Sequence, residues 1–267
     1  MATKTIGSGG DYATIADWVT YLQGIGTLTE TETGELLPGI HAANGVIFNS
    51  ITTATDKYVH LTSHSTARHT GLAAAVSGLD TARINGAGSG AVLRVSCNDF
   101  RMSWLEMHNT GDDTGILVYN TPGPSSHIYI HHNIIHNDAR TATYGYAIRG
   151  LDSAAVLYIY RNIIYGMTGT DAAGGIAMFM QTTANGCLYY NNVVCLNGLR
   201  GISWLEGTAT VKNNICIDNV SLNFRTTDGQ SYNISGGTGG TGPAAGTGST
   251  TGLTLANTFV AAAAGQW

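Results

Sequence analysis

Four segments of this chain are built on one repeated word, and that repetition restricts the fold more than any other feature. SHIYIHHNIIHN at 126–137, AVLYIYRNIIYG at 155–166, GCLYYNNVVCLN at 186–197 and ATVKNNICIDN at 209–219 each run through a short alternating stretch to an Asn. Two apolar residues then follow. The turn residues are Asn133, Asn162, Asn192 and Asn214, separated by 29, 30 and 22 positions, and FRMSWLEMHN at 100–109 is a weaker earlier copy. A period of roughly 20–30 residues is that of a solenoid, in which a unit too small to bury its own apolar face stacks on the next.

Alternation assigns the faces. Aligned on the Asn, Ile130, Ile159, Tyr189 and Val211 form one column, and Ile128, Leu157, Cys187 and Ala209 form a second two residues earlier. Residues two apart on a strand share a face, so both columns point inward. A third set, Gly115-Ile116, Gly145 to Ile148, Gly175-Ile176 and Gly201-Ile202, marks a further strand in each repeat. Each coil is therefore expected to hold at least two strands, with parallel pairing between coils about 4.8 Å apart. The expected fold class is all-β: a right-handed parallel β-helix with an N-terminal capping helix.

Asn suits a sharp corner because it tolerates the left-handed conformation, and its amide can bond the coils on either side. A column of stacked amides would satisfy polar groups that the corner buries. A β-sandwich of similar strands is the competing fold, and repetition of the whole Asn word favours the solenoid.

An open coil exposes apolar core, so solenoid ends need covers. In TIADWVTYLQ at 14–23, Ile15, Trp18, Val19 and Leu22 fall on one helical stripe. Thr14 with Asp17 is a capping-box start, so this helix is read as the plug on the first coil. The β-helix is expected over 1–234 with its cap in about 1–25. SGGTGGTGPAAGTGSTTG within 235–252 reads as a flexible link, and 253–267 as a final strand or partner contact.

Composition agrees with a folded chain. Charged residues are 11% and apolar residues 43%, with 36 Gly and only 4 Pro, so Gly and Asn make the turns. The formal charge is −5 and the only lysines are Lys4, Lys57 and Lys212, which excludes a basic stripe for nucleic acid. No basic segment leads into an apolar one at the N-terminus, and no apolar run approaches a membrane span. Neither a classical signal peptide nor membrane association is expected. Cys97, Cys187, Cys195 and Cys216 lack metal-type spacing and read as buried thiols, with a disulfide as the alternative.

The opening IGSGGDYATIADWVTYL and the NNI-type repeats resemble the pectate-lyase-like β-helix superfamily over most of the chain. Within it the pattern is most similar to β-helix proteins encoded by tailed phages. The resemblance implies a virion protein made in the host cytoplasm. Its partners would be phage structural proteins, a cell-surface polysaccharide, or copies of itself, threefold in such proteins. The fold hosts many activities, so activity has to be read from side chains.

A catalytic constellation is not apparent. Polygalacturonase-like hydrolases share clustered aspartates, a Gly-His-Gly and an Arg-x-Lys; here Asp112-Asp113 is the only acidic pair and reads as a polar turn. Lyase chemistry would need acidic calcium ligands beside a base such as Arg161 or Lys212, yet Glu106 and Glu206 stand isolated. No catalytic residue, metal ligand or cofactor is assigned. His127 and His131 share a strand face about 13 Å apart, too far for one zinc. His131 and His132 are expected on opposite faces, and His136 completes a histidine-rich stretch with a structural or surface role.

The candidate binding residues are Tyr129, His131, Tyr158, Tyr160 and Tyr190, which recur on the outward side of successive repeats. They are either a contact surface for protein or sugar, or cross-coil pairs that stabilise the sheet. With so few charges, a contact there is expected to depend little on salt. The preferred function is a non-enzymatic structural or binding protein of a phage particle, decorating the capsid or associated with the tail. A polysaccharide lyase or glycoside hydrolase, and a cell-surface adhesin, are the alternatives.

Overall fold

The structure is a computed structural model of the chain. It describes residues 1–71, 81–88, 90–109, 114–119, 121, 125–137, 145–151, 154–167, 175–181, 186–204, 208–225, 230–236 and 250–253.

The chain is a parallel β-helix. Each coil contributes one strand to each of three sheets in turn, and every strand pair among the described residues is parallel. Coil 1 is formed by Glu32–Leu36, Gly39–Ala42 and Val46–Phe48; coil 2 by Val59–Ser63, Ala82–Gly86 and Leu93–Val95. Coil 3 follows with Phe100–Ser103, Glu106–Asn109 and Thr114–Tyr119, and coil 4 with His127–His131, Ile134–His136 and Tyr146–Leu151. Coil 5 comprises Val156–Tyr160, Ile163–Tyr165 and Ile176–Gln181; coil 6, Cys187–Tyr190, Val193–Cys195 and Arg200–Trp204. Coil 7 is Ala209–Lys212, Ile215–Ile217 and Leu222–Arg225. Ala2–Ile6 precedes coil 1 in the first sheet, and Gln230–Ser231 follows coil 7. Among the described residues the first and second sheets have nine strands each and the third has seven.

The inward columns have the register that alternation predicts. Ile130 pairs with Ile159, Ile159 with Tyr189 and Tyr189 with Val211, all buried. In the third sheet the Gly-Ile words of successive coils do not all stand in register. Met178, not Ile176, stands between Ile148 and Ile202, while Ile176 pairs with Tyr146 and Arg200. Positions two apart share a face, so this register leaves Ile176 buried. The Asn-φ-φ word is itself a strand of the second sheet, giving three strands per coil where the sequence set a minimum of two.

The four turn asparagines stack in one column, with Asn233 as a fifth member. Asn133, Asn162, Asn192 and Asn214 each donate through backbone N and Nδ2 to the Oδ1 of the next Asn, at 2.9–3.2 Å. Each Nδ2 also donates to a carbonyl of the preceding coil, as Asn162 does to Ile130 at 2.9 Å. All five are buried. A second column turns the other corner, where Asn197 donates to Asn219 and Asn219 to Asn223.

The reason proposed for Asn at the corner needs correcting. The left-handed residue is the one before it: His132 (φ 56), Arg161 (55), Asn191 (58), Asn213 (55) and Tyr232 (53), with Trp104 (61) in the same place ahead of Leu105. Such a conformation costs an L-residue roughly 1–2 kcal/mol. The amide column offsets that cost by satisfying the backbone groups that the corner would otherwise orphan.

The capping helix is present at Ile15–Ile25, with both halves of the Thr14/Asp17 capping box formed. Its buried face, Ile15, Trp18, Val19 and Leu22, closes the first coil, and Trp18 meets Phe48 edge-on at 6.1 Å. Gly34 makes this seat possible. A Cβ there would lie 2.8 Å from Ile6 Cδ1 and 2.8 Å from the Trp18 ring. Gly34→Ala is therefore expected to destabilise the chain by about 1–3 kcal/mol, since the overpacked site is enclosed. An unchanged denaturation midpoint would mean that the helix is not seated as described.

The solenoid runs into the segment read as a link. Ile234–Gly236 and Thr250–Leu253 are parallel partners in the second sheet, so 235–252 is strand at both ends. The rest of that segment and residues 254–267 lie outside the described residues. All four cysteines are buried and free, and burial pushes the Cys97 and Cys195 thiols up to about 12.

Candidate ligand-binding face

The outward side of the first sheet gathers the sequence-derived binding residues. Tyr129 pairs with Tyr158, and His131 pairs with Tyr160, which pairs with Tyr190. The rings stack face to face along the solenoid axis. Tyr129–Tyr158 are 4.5 Å apart at 8°, His131–Tyr160 4.7 Å at 12°, and Tyr160–Tyr190 4.8 Å at 3°. Inside the column the ring faces are spent on one another, and what turns outward is a row of ring edges with their polar tips.

The column continues on cations. Arg101 pairs with Tyr129 in register, and its guanidinium lies 3.6 Å from the Tyr58 ring and 4.9 Å from the Tyr129 ring. Among the described residues it makes neither a hydrogen bond nor an ion pair, and its Nε is buried without a partner. The four N–H donors of its two terminal nitrogens, held beside two tyrosine rings, are arranged to meet an oxyanion. Arg101 lines a groove of about 490 Å³, which runs between the Thr53–Tyr58 segment and the leading ends of coils 3 and 4.

Asp99 in the same groove is already engaged. It accepts from Thr53 Oγ1 at 2.9 Å and from the His127 backbone at 3.1 Å, with the His127 imidazole at 3.4 Å. A carboxylate tied to the scaffold this way holds the groove wall rather than offering itself as an acid or nucleophile. Asp112 and Asp113, the acidic pair in the sequence, lie outside the described residues, as does Glu206.

At the corner beside the ladder, His131 and His132 point to the same side, contrary to strict alternation. The left-handed His132 breaks the period, and the two Nδ1 atoms meet at 2.8 Å. The protons follow from the partners. Arg161, which can only donate, reaches His132 Nε2 at 3.3 Å. His132 therefore carries its proton on Nδ1 and donates to His131 Nδ1, which leaves the His131 proton on Nε2. Trp104 stacks on His132 at 4.6 Å, Arg68 lies over Trp104, and His69 Nε2 donates to the His132 carbonyl at 2.7 Å.

Further along the face, His60 Nε2 meets Ser103 Oγ at 2.9 Å, but Ser103 is buried and unavailable as a nucleophile. Burial is the main cause that lowers His60 to about 4 and His131 to about 3. Arg101 and Arg68 add to it at His60, and His132, His60, Arg101 and Arg161 at His131. These imidazoles are neutral at pH 7, and no three His, Cys, Asp or Glu side chains converge as a metal site among the described residues.

Sequence reasoning missed the polar cluster on the outer side of the second sheet. Glu106, taken as isolated, contacts His136 Nε2 at 2.9 Å with Arg83 at 3.9 Å, and all three are largely buried. His136 stacks between His108 at 4.7 Å and Tyr165 at 5.1 Å. Aligning the second-sheet words would have placed Glu106 over Ile134 and His108 over His136, which is the register observed. The groove residues Tyr58, Asp99 and Arg101 were also missed, because Tyr58 lies outside the recognisable repeats.

Compared with known proteins, the chain matches no family model, no curated protein and no solved structure.

Proposed function

We propose that this chain is a non-enzymatic binding protein of a phage particle, a pectate-lyase-like β-helix that holds a cell-surface polysaccharide on its first sheet. The observation that carries this reading is Arg101, held between Tyr58 and Tyr129 with no hydrogen bond or ion pair at its terminal nitrogens among the described residues, in a groove that leads onto the ladder. Sugars present hydroxyls and oxyanions, and the face answers with tyrosine tips and a guanidinium, in a groove that Ser125 also lines. The resemblance to tailed-phage β-helix proteins supplies the setting, on capsid or tail.

The test has two arms. Mass spectrometry of purified particles of the phage that encodes the chain should find it among the virion proteins. Titration of the purified chain with capsular-polysaccharide oligosaccharides should give binding without turnover, weakened about tenfold or more by Tyr58→Ala with Tyr129→Ala. Absence from the particle would remove the virion role. Steady release of shortened or unsaturated sugars would replace binding by lyase or hydrolase chemistry.

A further inference from the structure

Each sheet has a leading edge at the first coil, and the chain covers two of the three. In the first sheet Ala2–Ile6 lies beside Glu32–Leu36. Its own outer edge is shut at Thr5, whose N donates to Asp11 Oδ2 at 2.8 Å and whose carbonyl accepts from Tyr12 N at 3.1 Å. In the third sheet the capping helix packs on Val46–Phe48, and Gln23 Nε2 donates to the Ile47 carbonyl at 3.4 Å. The second sheet begins at Gly39–Ala42, and among the described residues no strand pairs with its outer side. Gly39 N and Ala43 N donate to the Thr81 and Asn85 carbonyls, so the N–H and C=O groups of Ile40 and Ala42 point the other way. Both residues are exposed. An uncovered edge of this kind is a template for one more strand.

The edge is open because the chain is diverted. After Ile6, where each later coil turns into its second-sheet strand, Gly7 (φ 128) and Gly9 (φ 81) double the backbone back. Gly10 N donates to the Gly7 carbonyl and Gly7 N to the Tyr12 carbonyl, at 3.0 and 2.9 Å. A strand's place is left as a groove of about 340 Å³ between Gly39–Ala42 and the segments at Gly7-Ser8 and Ala13 to Ile15. No Asp, Glu, Lys or Arg lines it. It suits an uncharged, extended backbone.

The sequence contains a segment spelled for this place. The second-sheet words follow Asn133, Asn162, Asn192, Asn214 and Asn233, separated by 29, 30, 22 and 19 positions. Their second residue after Asn is inward: Ile135, Ile164, Val194 and Cys216 are all fully buried. Asn257-Thr258-Phe259-Val260 repeats the word with Phe259 at that position, and 254–267 contains no charged residue. Its own stack has no room for it as a further second-sheet strand. Thr250–Leu253 already holds the last place in that sheet, and Asn257 follows Leu253 by only 4 positions, far short of a coil. Nor can it reach its own leading edge. Four residues span at most about 14 Å, whereas eight coil rises separate the two ends of the sheet, about 38 Å.

We propose that Asn257–Ala261 of a second copy adds to Gly39–Ala42 as a parallel strand, joining copies head to tail along the solenoid axis. Continuing the register of the stack sets Thr258 beside Ile40 and Phe259 beside His41 on the inward side. Ile40 and Ala42 then bond the backbone of Asn257, Phe259 and Ala261. Main-chain bonds supply the affinity and the inward Phe259 the choice of segment. The contact is heterologous, so it propagates instead of closing on a pair.

Sedimentation velocity of the full chain should show assemblies that lengthen over an about hundredfold rise in concentration, and salt should change them little. Two variants separate the two halves of the contact. Deleting 254–267 removes the donor, and Ala42→Pro removes an edge N–H that faces away from the ladder, where proline is tolerated. Each should be monomeric alone with an unchanged circular dichroism spectrum, and an equimolar mixture should give a dimer that grows no further. A labelled peptide of residues 254–267 should bind the deleted chain, and Phe259→Asp in the peptide should weaken it at least about tenfold. Phe259→Asp in the full chain tests the donor without touching the edge, and should also give a monomer.

A full chain that stays monomeric throughout, or a deleted chain that assembles like wild type, would overturn the proposal. A mixture of the two variants that remains monomeric would do the same. A peptide of the same composition in scrambled order, bound as tightly as the natural one, would make the edge a general acceptor and remove the second copy as its specific occupant.

Discussion

Asn162→Leu is expected to cost about 3–6 kcal/mol of folding free energy, a large part of the ~5–15 kcal/mol typical of a whole domain. Asn162 sits at the middle of the amide column and is 1% exposed. Its Oδ1 accepts from Asn133 N and Asn133 Nδ2, both at 3.1 Å, and its Nδ2 donates to the Ile130 carbonyl at 2.9 Å. Leucine has nearly the same size but leaves those groups facing hydrocarbon, each lost bond costing about 1–3 kcal/mol where no water can enter. Asn162→Asp should be no milder, because it keeps the acceptors but buries a charge against the Ile130 carbonyl and Asn192 Oδ1. Asn191, one residue before the next column member, is exposed and left-handed at φ 58. Asn191→Gly, free of the left-handed penalty, should change stability by less than about 1 kcal/mol. Urea denaturation followed by circular dichroism distinguishes these cases. A cost below about 1 kcal/mol for Asn162→Leu would mean that the column is decoration on a stack held by its apolar core.

Acid should loosen the fold well above the pH at which carboxylates protonate. His60 and His131 titrate near 4 and near 3 when folded, against about 6.5 unfolded, so the unfolded chain binds more protons between those limits. Stability is therefore fully present above about pH 6.5, falls as the pH drops below it, and levels off only near the folded values. At about 1.4 kcal/mol per pKa unit, and allowing for screening of the partly open His131, the pair accounts for a few kcal/mol between pH 7 and pH 4. The physical cause is burial beside Arg101, Arg68 and Arg161, which leaves an imidazolium no counter-charge. Melting temperatures measured across pH 7.5–4 should fall steeply. His60→Gln combined with His131→Phe, which keeps a ring against Tyr160, should flatten that slope. Equal slopes for wild type and variant would place the acid sensitivity elsewhere.

The inside of the solenoid was legible because its rules are local. The alternation in HIYIH and VLYIY identifies the inward Ile130 and Ile159 without reference to any other coil. One residue per word, Asn, marks the corner. The Thr14/Asp17 box and the stripe of Ile15, Trp18, Val19 and Leu22 likewise lie within a few turns of one helix. The register at Ile176 lies where that locality fails, since the loop before it differs in length from its counterparts and Gly is a poor anchor for register.

The amino-acid sequence alone determined the repeat, the parallel stack, the amide column, the capping helix and the tyrosines and histidine of the outward ladder. Only the tertiary structure decided what that face is. A left-handed residue at the corner turns His131 and His132 towards each other instead of apart. The coil rise brings tyrosine rings to stacking distance and closes their faces to ligands. Stacking also brings Tyr58 and Tyr129, which are 71 positions apart, to the two sides of Arg101, and seats His136 on Glu106. Such contacts depend on which residue stands above which, and loops of unequal length between coils put that register beyond any local pattern.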